Sequence, residues 1–270
     1  MNYKNLSKEI TENIKEIISP YDLLKEVREI SDSNKKLNKQ ILGYSSKNNP
    51  IELYEIGNGK KNILLYGFPD PSESIGGTSI LFLIKYLLQE NSLFSSLDIK
   101  WLFIPCLNFD DQPNNGMSLE KTMKTSSQEV DWCLNNPREE TKALVNLAQK
   151  YKPILSFPLH DEYHCNEIIP IYFPVIPRLN KNICNKLREV IYSYNLEIDT
   201  SYNDKDMGQG FFEMSEIADD YDNSTFSVLS NYGNVIIFEL SDLKHLEKKV
   251  LCEIQIHIIL LLINELLLGK

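Results

Sequence analysis

Short apolar runs of strand length alternate with longer stretches of helical periodicity over most of this 270-residue chain. Residues 62–67 are almost wholly apolar and end in Gly67, the pattern of a buried strand, and the apolar-rich stretch 75–88 that follows predicts a helix. A second buried strand is predicted over 99–106. The order strand, helix, strand implies a right-handed crossover and parallel pairing. Runs at 153–159, 168–173 and 234–240 extend the set, the last with the pattern of a central strand. Upstream, 40–44 and 51–56 predict antiparallel strands, and Asn58-Gly59 predicts a tight hairpin from the second of these into 63–66. Helical patterning over 6–34, broken at Ser19-Pro20, predicts two short lead-in helices. Later helices are predicted over 181–194 and 243–268.

The length and a hydrophobic fraction of 42% suit one large domain over 1–270, with 1–38 as its helical lead-in. A formal charge of −10, from 38 acidic and 28 basic residues, argues against a phosphate-tracking surface and hence against nucleic acid as partner. The apolar run 254–268 is interrupted by Gln255, His257, Asn264 and Glu265, so it predicts a buried helix and no membrane partner. The polar amino terminus lacks a secretory signal pattern, and the five scattered cysteines suit reduced thiols, so a cytoplasmic location is expected.

Candidate chemistry concentrates where predicted strands end. The loop 68–73 places two carboxylates, Asp70 and Glu73, three residues apart at the carboxyl end of a strand, where open α/β sheets place ligands. Two such oxygens can chelate one cation; the plainer alternative is a solvated turn and a helix-capping acid. His160 ends the strand 153–159, and a neutral imidazole there suits a metal. His164, four residues on, forms with His160 a pair that a helix would present to one metal, but Pro158 and the apolar run put His160 at a strand end. Glu239 terminates the apolar run 234–240, and a carboxylate there requires a partner or a task. Cys133 reads as a small apolar residue more readily than as a nucleophile.

Over most of its length the chain resembles the zinc carboxypeptidase (funnelin) family, whose core is matched by the stretches ILGYSSKNNPIELYEIGNG (41–59) and ILLYGFPDPSESIGG (63–77). The resemblance implies an α/β domain with a mixed, mainly parallel central sheet and helices on both faces. It also implies a zinc site in which a His-x-x-Glu pair supplies two ligands. Glu73 matches the Glu, and Asp70 stands where the His belongs. His160 takes the place of the remaining metal ligand, and Glu239 that of the catalytic glutamate. With an added carboxylate in the set, Mn or Fe joins Zn as a candidate.

Further along, Val130-Asp131-Trp132-Cys133-Leu134 resembles the family's Val-Asp-x-Asn-Arg, with Cys133 and Leu134 replacing the Asn-Arg pair that grips a free terminal carboxylate. Leucine cannot imitate a bidentate arginine. Asn108, Lys121, Lys124, His164 and Tyr221 are candidate substrate-binding residues; for the tyrosine near the scissile bond, Tyr202 and Tyr232 also stand open. The expected activity is metal-dependent hydrolysis of an amide bond in a small peptide or acylated amino compound, with a Glu general base and an amidase-like specificity. A metal-free binding protein on a peptidase scaffold and a metal-dependent acyl transferase are the alternatives.

Overall fold

The computed structural model describes residues 2–70, 73–90, 92, 97–110, 130–162, 179–198, 201–202, 205–206, 211, 220–241 and 246–268. Its centre is a mixed sheet whose apolar strands feed two layers at once. Along β3 (Lys61–Gly67), Ile63 and Leu65 enter one apolar cluster while Leu64 and Tyr66 enter the other, and Trp101/Phe103 and Leu102/Ile104 divide likewise on β4 (Ile99–Ile104). Strands buried on both faces need no polar alternation, hence the continuous apolar runs in the sequence.

The first layer is built by α1 (Tyr3–Thr11), α2 (Pro20–Ser33), α3 (Ser74–Leu87), α5 (Lys181–Tyr192) and α7 (Lys248–Ile263); the second by α4 (Glu139–Tyr151) and the short α6 (Thr225–Ser230). The α2 start follows from its sequence: Ser19 caps by accepting from the Asp22 N–H, and Pro20 occupies the first turn, where its missing N–H costs nothing. The chain from Lys248 to Leu268 is long and apolar enough to cross a membrane, yet 72% of its apolar 18-residue window is buried inside the protein. It is a core helix, packed on α1, α3 and α5.

The strand order is β1 (Leu37–Tyr44), β2 (Pro50–Ile56), β4, β3, β5 (Leu155–Glu162), then β8 (Asn234–Val235) and β9 (Phe238–Ser241), which pair in turn with the two halves of β5. β3 pairs in parallel with β4 and β5, and β5 with β8 and β9; β1–β2 and β2–β4 are antiparallel. A small ribbon, β6 (Ser201–Tyr202) and β7 (Lys205–Asp206), stands apart.

Two expectations are corrected. Asn58-Gly59 does not close a hairpin, because β4 inserts between β2 and β3, and Gly59 instead packs against the Asp98–Ile99 backbone, to which its N–H is bonded. The antiparallel hairpin is β1–β2, turned through Asn48 at φ 63°. The run 234–240 is not one central strand. It is broken at Ile236–Ile237 and lies at the edge of the sheet among the described residues. The apolar pattern arises because helices cover both faces, whatever the strand's place in the order. The expected strand at 168–173 lies outside the described residues.

Candidate metal centre

Three parallel strands end side by side, and the site is assembled there. The β3–β5 register pairs Gly67 with Leu159, so the segment leaving β3 emerges next to His160. Phe68 makes the turn at φ 52°, a left-handed conformation rare for a bulky residue, and it is held there fully buried. α3 then starts close in. A Cβ on Gly76 would fall 2.6 Å from the Leu159 Cβ, and one on Gly77 would fall 2.4 Å from the Phe68 ring. Only glycines let the helix start this near the strand.

The loop wraps on itself: the Glu73 N–H donates to the Asp70 carbonyl at 3.5 Å, and the Asp70 N–H to Glu73 Oε2 at 3.4 Å. Glu73 holds the N-cap position of α3 without making a side-chain cap bond. Its carboxylate reaches across to His160 instead. His160 Nδ1 lies 3.1 Å from Glu73 Oε2 and 3.5 Å from Asp70 Oδ2. One donor atom from each of the three residues falls within 4.8 Å of the others.

Burial pushes the Glu73 carboxyl up to about 8; Asp70 and Asp161 add to the rise, and His160 opposes it. Two acids crowded around one imidazole nitrogen in a desolvated corner form a set that a divalent cation would neutralise. Three protein donors, two carboxylate oxygens and one imidazole, fit zinc with a position left over, and equally the harder Mn or Fe.

The far side of the ring is also engaged. His160 Nε2 lies 3.4 Å from Asp131 Oδ2. Asp131, 2% exposed, accepts at its other oxygen from the Tyr66 hydroxyl at 3.1 Å and the Thr225 hydroxyl at 2.5 Å, and its carbonyl accepts the Thr225 N–H. A carboxylate on the second nitrogen fixes a ligand imidazole's tautomer and orientation. The sequence reading matched Asp131 to a motif but gave it no role. The overlooked signal was an acid between Val130 and Trp132, the same pattern that singled out Glu239.

β9 sets Glu239 at the register position directly beside His160 on the adjoining parallel strand. Asn108 is fully buried after β4; its N–H donates to the Phe68 carbonyl, and its Oδ1 accepts from Arg138 Nη2 at 3.5 Å. Tyr221 packs against the second apolar cluster and donates to Ser230 Oγ at 3.2 Å. Lys121, Lys124 and His164 lie outside the described residues. Leu134 anchors backbone to backbone on Asn223, and the Cys133 thiol lies 3.1 Å from the Thr141 hydroxyl.

No family model matches the sequence, and no curated protein sequence matches it. Solved structures do. Bovine thrombin-activatable fibrinolysis inhibitor, solved with a tick carboxypeptidase inhibitor, superposes with a TM-score of 0.63 at 12% identity, over 94% of this chain and 99% of that one. A Pseudomonas aeruginosa metallo-carboxypeptidase, solved with (2-guanidinoethylmercapto)succinic acid, gives 0.59 at 13% identity, over 89% and 68%. The Burkholderia cenocepacia metallo-carboxypeptidase gives 0.58 at 12%, over 90% and 68%. The chain has the metallo-carboxypeptidase fold. Within this fold the cluster of Asp70, Glu73 and His160 occupies the carboxyl end of the parallel strands, where the sheet opens to ligands.

Proposed function

We propose that this protein is a metal-dependent hydrolase of an amide bond in a small peptide or acylated amino compound. The observation that carries the reading is His160 Nδ1 facing the Glu73 and Asp70 carboxylates at the ends of neighbouring strands. Asp70, Glu73 and His160 would hold the ion, zinc by fold analogy, which supplies there the acidification of a water and the polarisation of a carbonyl. Asp131 keeps the His160 ring turned so that Nδ1 points at the two carboxylates. Glu239, beside His160, serves as general base, taking the proton of the attacking water and passing it to the leaving amine.

Leu134 in place of an arginine supports substrates without a free terminal carboxylate, so amides and acylated amines are favoured over ordinary carboxy-terminal residues. The test is direct. Protein purified without chelator is assayed for bound metal and for hydrolysis of N-acetyl amino-acid amides beside blocked dipeptides with free carboxylates. Metal-dependent cleavage of the amides, abolished by Glu239→Gln, is expected. Efficient release of ordinary carboxy-terminal residues would refute the specificity, and an intact protein that neither binds metal nor cleaves any substrate would refute the enzyme.

A further inference from the structure

A second cleft, of about 740 Å³, opens between the amino end of α1, α5 and the last turns of α7. Its size is that of a small-molecule site. It lies away from the cluster: Lys61, at the start of β3, donates to the Leu267 carbonyl, so this end of α7 sits by the amino ends of the parallel strands.

α5 and α7 run antiparallel along the cleft. At one end Lys186 pairs with Glu265 at 2.8 Å; at the other the Tyr194 hydroxyl meets His257 Nδ1 at 3.3 Å. The second end carries Lys4. The Lys4 ammonium donates to the Ser193 carbonyl and hydroxyl and sits 4.3 Å over the Tyr194 ring, which leaves it one N–H. His257 lines the cleft while only 8% exposed. The Tyr194 hydroxyl that meets Nδ1 also faces the Glu253 carboxylate, one helical turn before His257 on α7. One helical turn before Ser193, about 6 Å along the axis, stands Glu189. Its carboxylate is exposed to the cleft and has no ion-pair partner among the described residues.

An ammonium with one N–H to spare and an uncommitted carboxylate, one turn apart in one cleft, match a ligand carrying both charges. We infer that this cleft is a binding site for a small amino-carboxylate, its carboxylate against Lys4 and its ammonium against Glu189, with the His257 ring lining the cleft beside them. The assignment is independent of the chemistry at the strand ends.

Three probes of similar size separate the charges: 4-aminobutyrate, butyrate and butylamine. Each is titrated into the whole protein while the ring resonances of its four histidines are followed, that of His257 being identified by its loss in His257→Gln. The expected result is a saturable shift of His257 with 4-aminobutyrate at a midpoint at least about fivefold below either single-charge probe. Lys4→Met and Glu189→Gln, each with unchanged circular dichroism, should raise that midpoint about fivefold. The comparison of probes on the wild type stands without any variant. Equal response to the three probes, no saturable shift of His257 up to about 50 mM, or a folded Lys4→Met that binds like the wild type would overturn the assignment.

Discussion

Asp70 is the residue on which the centre turns. As a ligand it completes three protein donors; Asp70→Ala would leave two and should lower zinc affinity by at least about tenfold with little change in fold stability. Asp70→His, which exchanges an anion for a neutral imidazole, should bind zinc more tightly than wild type. Calorimetric zinc titration of the three proteins checks both. A wild type that binds nothing beside an Asp70→His that binds strongly would mean a metal-free binding protein. Asp131→Asn tests the other face of the ring: the volume is kept and the Tyr66 and Thr225 hydroxyls retain an acceptor, but the charge behind His160 is lost. A drop in zinc affinity of about 10–100-fold with an unchanged unfolding midpoint is expected. Asp70, Glu73 and His160 were legible because each stood at a predicted strand end. Asp131 was not, since it lies on a connecting segment and its partner comes from β5, 29 positions away, which no local pattern marks.

At the scale of elements, the closeness of α3 to β5 and Phe68 sets the geometry. Gly77→Ala would drive a methyl against the Phe68 ring, so it should destabilise by about 1–3 kcal/mol by overpacking and move the loop carrying Asp70 and Glu73. Urea unfolding and zinc titration of one preparation read both effects, and a neutral result in each would show that the ring gives way. Helix existence was readable here, because caps and apolar periodicity are local: Ser19-Pro20 opens α2, and 75–88 becomes Ser74–Leu87. Strand neighbours were not. Asn58-Gly59 has the composition of a tight turn, yet β4 comes from 40 residues later to separate the strands it joins, a long-range pairing that turn chemistry does not encode.

The whole molecule stores a pH response in its helical layer. Burial, with Lys4 adding to it, lowers the pKa of His257 to about 4, from an ordinary value near 6.5. Between those values the unfolded chain takes up a proton that the folded chain refuses, so stability falls as pH drops from about 6.5 toward 4 and this contribution levels off below. The groups around the ring are Lys4 from α1, Tyr194 from α5 and Glu253 on α7. Urea midpoints at pH 7, 5.5 and 4.5 should decline less steeply in His257→Gln than in the wild type; parallel declines would show that other groups carry the effect. The sequence read 254–268 as a buried helix from its interrupted apolar run, and that reading holds, but what His257 faces depends on α1 and α5, which only the fold brings to it.

The absence of any Cβ at Gly76 and Gly77 also governs time. Leu159 and Phe68 fill the room those side chains would have taken, so α3 cannot slide along β5 by small steps; it separates or it stays. Separation exposes the fully buried Ile75, Ile80 and Leu159 to water. The contact of α3 with β5 therefore opens on the clock of unfolding. In hydrogen–deuterium exchange, the amides of Leu159 and Ile80 should exchange as slowly as those of Leu64 and Leu65 in β3, on the scale of global opening.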